Sequence, residues 1–242
     1  MIGPERGIIP PPAMRTAAQR SAARPAWALA VAVDVVAVLA APVAASSQMS
    51  RLFGGNLIMN GGAEAGPASG GFSSVPIPGW TISGPLTVVA YDTPDPDDLP
   101  PFPTSSGPGP DDRGTNFFAG GPANSSSSAS QVISVAAAAS LIDAGAVRYD
   151  LSGYLGGWTD QEDNAVLRIV FKQGTNVLGS AEIGPVGAAD RESQTGLLGR
   201  ATSGLVPVGT RQIVVTLVMT KQEGVGTYND GYADNLSLVL SR

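Results

Sequence analysis

Beyond residue 46, the apolar residues of this chain recur at every second position or in short continuous runs, and clusters of Gly, Pro, Asn and Asp separate those runs. This pattern is typical of β-strands, because alternate side chains of a strand face opposite sides of its sheet. Helical periodicity is confined to a short alanine-rich stretch near residues 135–140. The pattern predicts strands over residues 56–60, 86–91, 116–119, 130–135, 147–155, 165–172, 176–183, 196–203, 212–220 and 234–241.

The ten predicted strands are joined by loops of hairpin length. Together they predict an all-β fold, a two-sheet antiparallel β-sandwich of the jelly-roll kind. A parallel α/β fold would need crossover helices, for which the sequence has no room. In the run 213–219 both faces are largely apolar, which predicts a central strand covered on both sides. No internal repeat or interdomain linker is evident, so we expect residues 46–242 to form one domain.

Residues 92–114 differ in kind, because they are dense in Pro, Gly, Ser and Asp. They predict a long surface loop, and such loops are either functional or disordered. The loop contains acidic clusters, and a second cluster lies at residues 160–163. Paired carboxylates are what a glycosidase uses. No apolar pocket is evident that would raise the pKa of one carboxyl above that of its neighbour, so a solvated acidic surface is the favoured interpretation.

The first 45 residues indicate a targeting segment. Three arginines between residues 15 and 24 precede an apolar run of Ala, Val, Leu and Trp over 26–41. Small residues at 43–45 then predict a signal peptide cleaved after Ala45. We therefore expect a secreted, extracellular protein.

Two alternatives concern this segment. A translation start at Met14 would give a more ordinary signal peptide, and residues 1–13 would then lie upstream of the true start. An uncleaved membrane anchor is less favoured, because the apolar run is short for a span of about 20 residues and Asp34 interrupts it. No later apolar run is long enough to span, so we expect no membrane contact after cleavage.

The composition excludes several kinds of chemistry. The chain has neither His nor Cys, which excludes Ser-His-Asp and Cys-His nucleophiles, zinc sites of the usual kind and disulfides. Its formal net charge is −6, and no basic run follows residue 24, which argues against a nucleic-acid partner. We therefore expect a protein that binds rather than one that catalyses.

Asp234 is the most informative single residue. It opens the last predicted strand, and alternation places it on the same face as Leu236 and Leu238, which should be the core face. A buried carboxylate needs a partner, because an unpaired buried charge is very costly. That partner could be Arg or Lys, backbone N–H groups, or a bound cation such as calcium. A plain structural salt bridge remains equally open from spacing alone.

Three motifs together carry a family resemblance. The chain opens with Asn-Leu-Ile-Met-Asn-Gly-Gly-Ala-Glu-Ala-Gly at 56–66, continues with Pro-Gly-Trp at 78–80 and closes with Tyr-Ala-Asp-Asn-Leu-Ser-Leu at 232–238. It resembles the bacterial galactose-binding-like jelly-roll domains, which include carbohydrate-binding modules of secreted polysaccharide hydrolases and related cell-wall or adhesion domains. The segment 151–165 also resembles exported bacterial proteins of this type.

The resemblance implies that the first and last strands lie side by side. It also implies a structural calcium held by Glu64 and Asp234, with backbone oxygens near Asn56 and Asn60 as helpers. One position departs from the family pattern, because Ala63 stands where an aromatic residue is usual.

Sugar binding needs flat aromatic faces for the C–H side of a ring and planar amide or carboxylate groups for its hydroxyls. Trp80 follows Pro-Gly and is predicted to lie in the core, whereas Trp158 is predicted to lie in a loop. The candidate ligand-binding residues are Trp158 and Tyr154, then Asp160, Gln161, Asp163 and Asn164, and further along the chain Tyr228 and Asn229.

The sequence therefore predicts a non-catalytic extracellular binding module that recognises a carbohydrate or cell-envelope glycan. A structural or adhesive surface protein without a sugar site is one alternative, and a carboxylate-only hydrolase is a second. Asp190, Arg191 and Glu192, with Arg200 nearby, are interpreted as a surface ion-pair group of little energetic weight.

Overall fold

The structure is a computed structural model that describes residues 49–70, 73–94, 102–222 and 227–242. The predicted signal segment and Asp95, Asp97 and Asp98 lie outside these ranges. The strands are β1 (Thr81–Ser83), β2 (Thr87–Ala90), β3 (Asn116–Pro122), β4 (Ser126–Ser134), β5 (Arg148–Gly157), β6 (Asn164–Gln173), β7 (Asn176–Ile183), β8 (Gly196–Leu205), β9 (Gln212–Thr220) and β10 (Tyr228–Ser241). One short helix, α1 (Ala139–Asp143), follows a 3-10 turn at Ala136–Ala138, and a second 3-10 turn covers Ala189–Arg191.

The strands form two five-stranded sheets. The first sheet has the order β1-β4-β9-β6-β7 and the second has the order β2-β3-β10-β5-β8. Each pair of neighbouring strands is antiparallel. The prediction of an all-β, two-sheet antiparallel sandwich is confirmed. No helix in the described part of the chain combines the length and apolar character needed to cross a bilayer.

Most strand predictions agree with the structure, and β7 and β9 match their predicted ranges. β4 and β10 begin four and six residues earlier than predicted, and two differences are larger. β1 was not predicted, because three residues with one apolar side chain, Ile82, are too short for a periodic pattern. Residues 56–60 form no strand and instead make an isolated bridge from Asn56 to Val239.

The main core lies between the two sheets and contains Trp80, as predicted. The Trp80 ring meets the Phe118 ring edge to face at 5.7 Å, and its Nε1 donates to the Asn60 carbonyl at 3.2 Å. β9 is central in its sheet, as predicted, but only its core face is buried. Val214 and Val218 on its other face are half-buried, so the apolar pattern there reflects the fit of β-branched residues to a sheet.

A second apolar cluster covers part of the outer face of the second sheet. Its members are Val89, Tyr91, Phe102, Phe117, Ala119, Leu197, Tyr228 and Tyr232, and we call it the outer cluster. Phe102 comes from the Pro/Asp-rich loop, and its ring meets the Tyr228 ring edge to face, with 5.6 Å between the ring centroids. The described part of this loop therefore acts as a packed cover over the sheet.

Arg113 holds the loop in this position. Its Nη1 donates to the carbonyls of Thr104 at 2.8 Å and Gly107 at 3.1 Å, and its Nε donates to the Pro110 carbonyl at 2.7 Å. The Pro108 carbonyl accepts a hydrogen bond from the Leu197 N–H at 3.0 Å. One guanidinium thus satisfies carbonyls that a proline-rich segment cannot pair in a ladder.

The opening segment lies beside β10, as the resemblance implied. Leu57 N–H donates to the Leu238 carbonyl at 2.8 Å, and Gly54 N–H donates to the Leu240 carbonyl at 3.0 Å. The Asn56 side chain continues this ladder, because its Oδ1 accepts from Leu238 N–H and its Nδ2 donates to the Leu236 carbonyl. The two ends of the described chain are therefore joined by hydrogen bonds.

Candidate functional site

Asp234 is buried, but on the opposite face from the one that alternation predicted. A β-bulge interrupts β10 at Asn235, which has φ of 48°, and the register with β5 shifts between Asp234 and Ser237. The bulge lets Ala233 and Leu236 both face the main core. Asp234 is consequently turned toward the outer cluster, where its partner Tyr91 lies.

The contacts of Asp234 are neutral. Its Oδ2 accepts the Tyr91 hydroxyl at 2.8 Å and its Oδ1 accepts the Asn235 N–H at 2.7 Å. The side chain is fully buried, and this burial raises the pKa of Asp234 to about 7, although both hydrogen bonds oppose the rise. The ion pairs found among the described residues do not include Asp234, so the salt-bridge interpretation finds no support there.

The Glu64 carboxylate accepts hydrogen bonds from residues at the start of β3. Its Oε1 accepts the N–H groups of Thr115 at 2.9 Å and Asn116 at 2.8 Å, and its Oε2 accepts the Thr115 hydroxyl at 2.7 Å. Glu64 is exposed, and its charge acts on Asp234 to raise that pKa. The two carboxylates named from the motifs are therefore electrostatic neighbours.

Glycines line the space beside these carboxylates. A Cβ added to Gly62 would lie 3.3 Å from Asn235 Oδ1 and 3.8 Å from Asp234 Oδ1, and one added to Gly114 would lie 2.5 Å from Glu64 Oε1. Within the described ranges, no three acidic, His or Cys side chains are grouped closely enough to hold a metal. Any cation here would therefore draw on two carboxylates and on neutral oxygens.

Asn56 and Asn60 have structural partners. Asn56 bonds to β10, as described above. The Asn60 side chain accepts from Ala65 N–H at 2.8 Å and donates to the Pro78 carbonyl at 3.1 Å, while its own carbonyl accepts from Trp80. These contacts shape the opening turn, and we leave both asparagines out of the candidate cation site.

Tyr154 lies on the open part of the outer face of the second sheet. A Cβ added to the facing Gly199 would lie 3.6 Å from Tyr154 Cζ, so the ring covers the glycine backbone of the neighbouring strand. A shallow cavity of about 260 Å³ surrounds the ring. Its lining residues are Ser152, Gly153, Tyr154, Gly199, Arg200, Ala201 and Asn235, and we call it the Tyr154 groove.

Trp158 follows the end of β5 and is half-buried, as its loop position predicted. It packs with Tyr154 against the outer cluster. Asp160 next to it is exposed and accepts a long hydrogen bond of 3.3 Å from Thr159. Gln161 is half-buried, and its N–H donates to the Trp158 carbonyl at 3.0 Å.

Several other predicted ligand residues hold the fold. Asp163 is 2% exposed and accepts the N–H groups of Gln222 and Asp230. Asn229 is fully buried, and its Nδ2 donates to the Met219 carbonyl at 3.2 Å. Tyr228 is buried in the outer cluster. Because these three side chains are buried, they do not form a surface for a ligand.

Asn164 is half-buried, and its Nδ2 donates to the Glu162 carbonyl at 2.9 Å. That contact lies within the loop before β6. Of the eight residues predicted to bind ligand, Tyr154 and Trp158 are the two aromatic side chains that keep partial exposure on one sheet face.

Arg191 is the main residue that the sequence misassigned. It is 4% exposed rather than on the surface. Its guanidinium donates to the carbonyls of Gly157, Thr159 and Gln161 at 2.9 Å each, and also to the Gln194 carbonyl. Burial lowers its pKa. No sequence signal distinguishes this arginine from Arg200, which does form the predicted ion pair with Asp190 at 3.3 Å.

These features define the class of protein: an all-β two-sheet sandwich whose second sheet has one outer half covered by a loop and the other half open. No family model and no curated protein sequence match this chain. The similarities that were found are to solved structures.

The chain is similar to the enzymatically active domain of tailspike protein 4 of bacteriophage CBA120, with a TM-score of 0.42 and 17% identity over 77% of this chain and 21% of that one. It is similar to the CBM22-1 and GH10 modules of Clostridium thermocellum xylanase 10B, with a TM-score of 0.37 and 12% identity over 77% and 28%. A CBM4 structure also has a TM-score of 0.37 and 12% identity, over 76% of this chain and 99% of that one. The chain thus spans less than a third of the first two structures. At these scores the similarity does not extend to particular residues.

Proposed function

We propose that the protein is a non-catalytic extracellular binding module whose ligand is a carbohydrate or cell-envelope glycan, bound in the Tyr154 groove. One observation carries this proposal: an aromatic ring is held over Gly199 in a shallow groove with small and polar neighbours. An aromatic face receives the C–H side of a sugar ring. The polar groups of Ser152, Arg200 and Asn235 are of the kind that pairs with sugar hydroxyls.

The size and chemistry of the groove favour binding over hydrolysis. Its volume of about 260 Å³ lies below the range of about 300–1,000 Å³ that is usual for enclosed ligand pockets. Such a small and shallow groove suits contact with a short part of a longer glycan at an open surface. No carboxylate is among the residues that line it, whereas glycoside hydrolysis uses two.

The test is the Tyr154→Ala variant on an array of polysaccharides and cell-envelope glycans. We expect glycans that bind the wild-type protein to bind this variant at least tenfold more weakly, because the stacking face is removed, whereas Tyr154→Trp should keep the affinity. Titration calorimetry with the best array ligand measures the change.

A matched pair of serines locates the site. Ser152→Ala removes a hydroxyl from the groove and should weaken binding severalfold. Ser130→Ala removes one from the outer face of the other sheet and should leave the affinity unchanged. Equal affinities of the wild-type and Tyr154→Ala proteins would place the ligand elsewhere.

We also propose a structural calcium between the opening turn and β10. Asp234 and Glu64 supply two carboxylates, and Asn235 Oδ1 lies near the same point beside Gly62. Calcium accepts such all-oxygen, loop-built sets. Bound calcium would supply the opposite charge that the buried Asp234 carboxylate otherwise lacks.

The calcium proposal predicts that chelation lowers the melting temperature by several degrees, because the ion binds the folded state and not the unfolded one. Differential scanning calorimetry with EDTA and with excess calcium measures this. The Asp234→Asn variant should give one melting temperature in both buffers. A wild-type melting temperature that is the same in both buffers refutes the calcium site and leaves the Tyr154 proposal untouched.

A further inference from the structure

β8 is a long and regular strand at the edge of the second sheet. Its ten residues pair with β5 in unbroken register from Gly196 to Leu205. From Gly199 onward the residues are exposed or half-buried, and the strand contains no Pro and no Lys. Natural proteins normally protect such an edge with prolines, lysines, bulges or a covering segment.

The other sheet edges have this protection. β2 is covered by a parallel bridge at Ser69, whose N–H donates to the Val88 carbonyl at 2.7 Å. β1 is three residues long. β7 carries an irregularity where its register with β6 shifts between Phe171 and Lys172. β8 is thus the edge that is both long and without a bulge.

Two hydrogen bonds show which backbone groups of β8 point outward. Val206 N–H donates inward to the Val147 carbonyl, whereas Leu197 N–H donates outward to the Pro108 carbonyl. Inward and outward groups alternate along a strand. The amides of residues 199, 201, 203 and 205 therefore point away from β5, and none of them donates to a backbone carbonyl of another described residue. Of the outward groups, the Gly199 carbonyl accepts a hydrogen bond from Arg200 Nη1 at 3.1 Å, which an added strand would replace.

We propose that β8 pairs with β8 of a second copy of this chain, antiparallel, about a twofold axis at Thr202. In this register Gly199 stands opposite Leu205 of the other copy, and Ala201 stands opposite Ser203. The outward amides of both strands then meet in hydrogen-bonded pairs, and Thr202 meets Thr202 in the closer, non-hydrogen-bonded position.

Charge and shape favour a second copy as the occupant. Arg200, the one charged residue of β8, would stand opposite Gly204, so no like charges meet. Leu205 is 57% exposed and would be set beside Gly199, whose missing side chain leaves the edge of the Tyr154 ring accessible. The strongly exposed Leu205 of one copy thus meets Gly199 of the other copy, where the Tyr154 ring lies beside a position without a Cβ.

Two further exposed apolar residues lie on the same side of the sandwich. Val177 is 64% exposed on β7 and Val208 is 61% exposed in the β8–β9 loop. That loop contacts β7, because a Cβ added to Gly179 would lie 3.1 Å from Pro207 Cγ. Association through β8 would bring this apolar surface near its counterpart. The inference is argued from the strand edge and not from the sugar proposal, but the two share Gly199, Arg200 and Ala201, so a paired β8 would narrow access to the Tyr154 groove.

The experiment uses sedimentation velocity of the full chain over a wide concentration range. The wild-type protein should show concentration-dependent dimers. Thr202→Lys and Thr202→Glu should each weaken dimerisation at least tenfold, because each places like charges opposite each other across the axis. An equimolar mixture of the two variants should recover dimers, because Lys then meets Glu.

Recovery in the mixture is specific to an axis at residue 202. Ala137→Lys adds the same charge at an exposed position outside β8 and should dimerise like the wild-type protein. Ala201→Pro removes one outward N–H while leaving the inward pairs to β5, and should also give monomers. A wild-type protein that stays monomeric throughout overturns the proposal, as do dimers that both Thr202 variants leave intact.

Discussion

In the presence of chelator, the free energy of unfolding should fall as the pH rises from about 4 to about 8, by up to about 4 kcal/mol. The cause is Asp234, whose folded-state pKa is raised to about 7 by burial. A carboxyl with a raised folded-state pKa favours the folded state most when it is protonated. Its contribution is therefore complete below its unfolded pKa and is lost as the pH passes the folded pKa.

Urea unfolding at a series of pH values measures this slope. The matched variant is Asp234→Asn, which mimics the protonated side chain: its Oδ1 can still accept from Asn235 N–H, and its Nδ2 can donate to the Tyr91 oxygen. We expect this variant to lack the slope. Asp92 and Asp143 have lowered pKa values from their hydrogen bonds to Ser105 and Arg211, and because both residues remain in the variant, their effect in acid cancels in the difference.

Added calcium should abolish the fall at neutral pH, because a bound cation stabilises the ionised carboxylate. An identical pH slope in the wild-type and Asp234→Asn proteins would refute the assignment to Asp234. A slope that is present in chelator and unchanged by calcium would support the buried acid and refute the ion. The two parts of the hypothesis are thus separable.

The second large effect is expected at Arg191. The Arg191→Met variant keeps the apolar stem but leaves the carbonyls of Gly157, Thr159, Gln161 and Gln194 without their shared donor. We expect it to lose about 3 kcal/mol or more of unfolding free energy, because hydrogen bonds from a charged donor are strong and buried unpaired acceptors are costly. Chemical denaturation measures the loss.

Arg200→Met is the matched control for Arg191→Met. Arg200 is partly exposed and pairs with Asp190 at 3.3 Å, so its loss should cost less than about 1 kcal/mol. Similar losses in both variants would contradict the role of Arg191 in organising the loop that carries Trp158. Arg191→Lys should fall between them, because it keeps the charge and loses the planar fork.

Local pattern was sufficient to predict the fold class and nine of the ten strands in the described part of the chain. β7 and β9 have clear runs of apolar residues between turn residues, and both were bounded correctly. The prediction that Trp80 lies in the core rests on the preceding Pro-Gly and on the large share that buried aromatic residues have in sandwich cores, and it is confirmed. The pairing of the two ends was implied by the family resemblance, and no pattern indicated that the opening segment would bind through the Asn56 side chain.

The hydrophobic alternation predicted the wrong sheet face where one residue reversed the facing of the side chains next to it. The bulge at Asn235 shifts the alternation of β10 by one position, so Asp234 faces the outer cluster and not the main core. A positive φ at a single asparagine leaves no trace in hydrophobic periodicity. The prediction that Asp234 is buried is therefore confirmed, whereas the predicted face of the strand is wrong.

The sequence by itself determined the class of fold, nine of the ten described strands and the absence of His and Cys, which excludes histidine and cysteine chemistry. These properties depend on periodicity and composition, which are local. Only the tertiary structure decided that Asp163, Asn229 and Arg191 are buried, that Tyr154 lies over Gly199, and that β8 pairs with a strand on one side alone among the described residues. Those facts depend on which distant segments meet, because burial and pairing are properties of contacts and not of single positions.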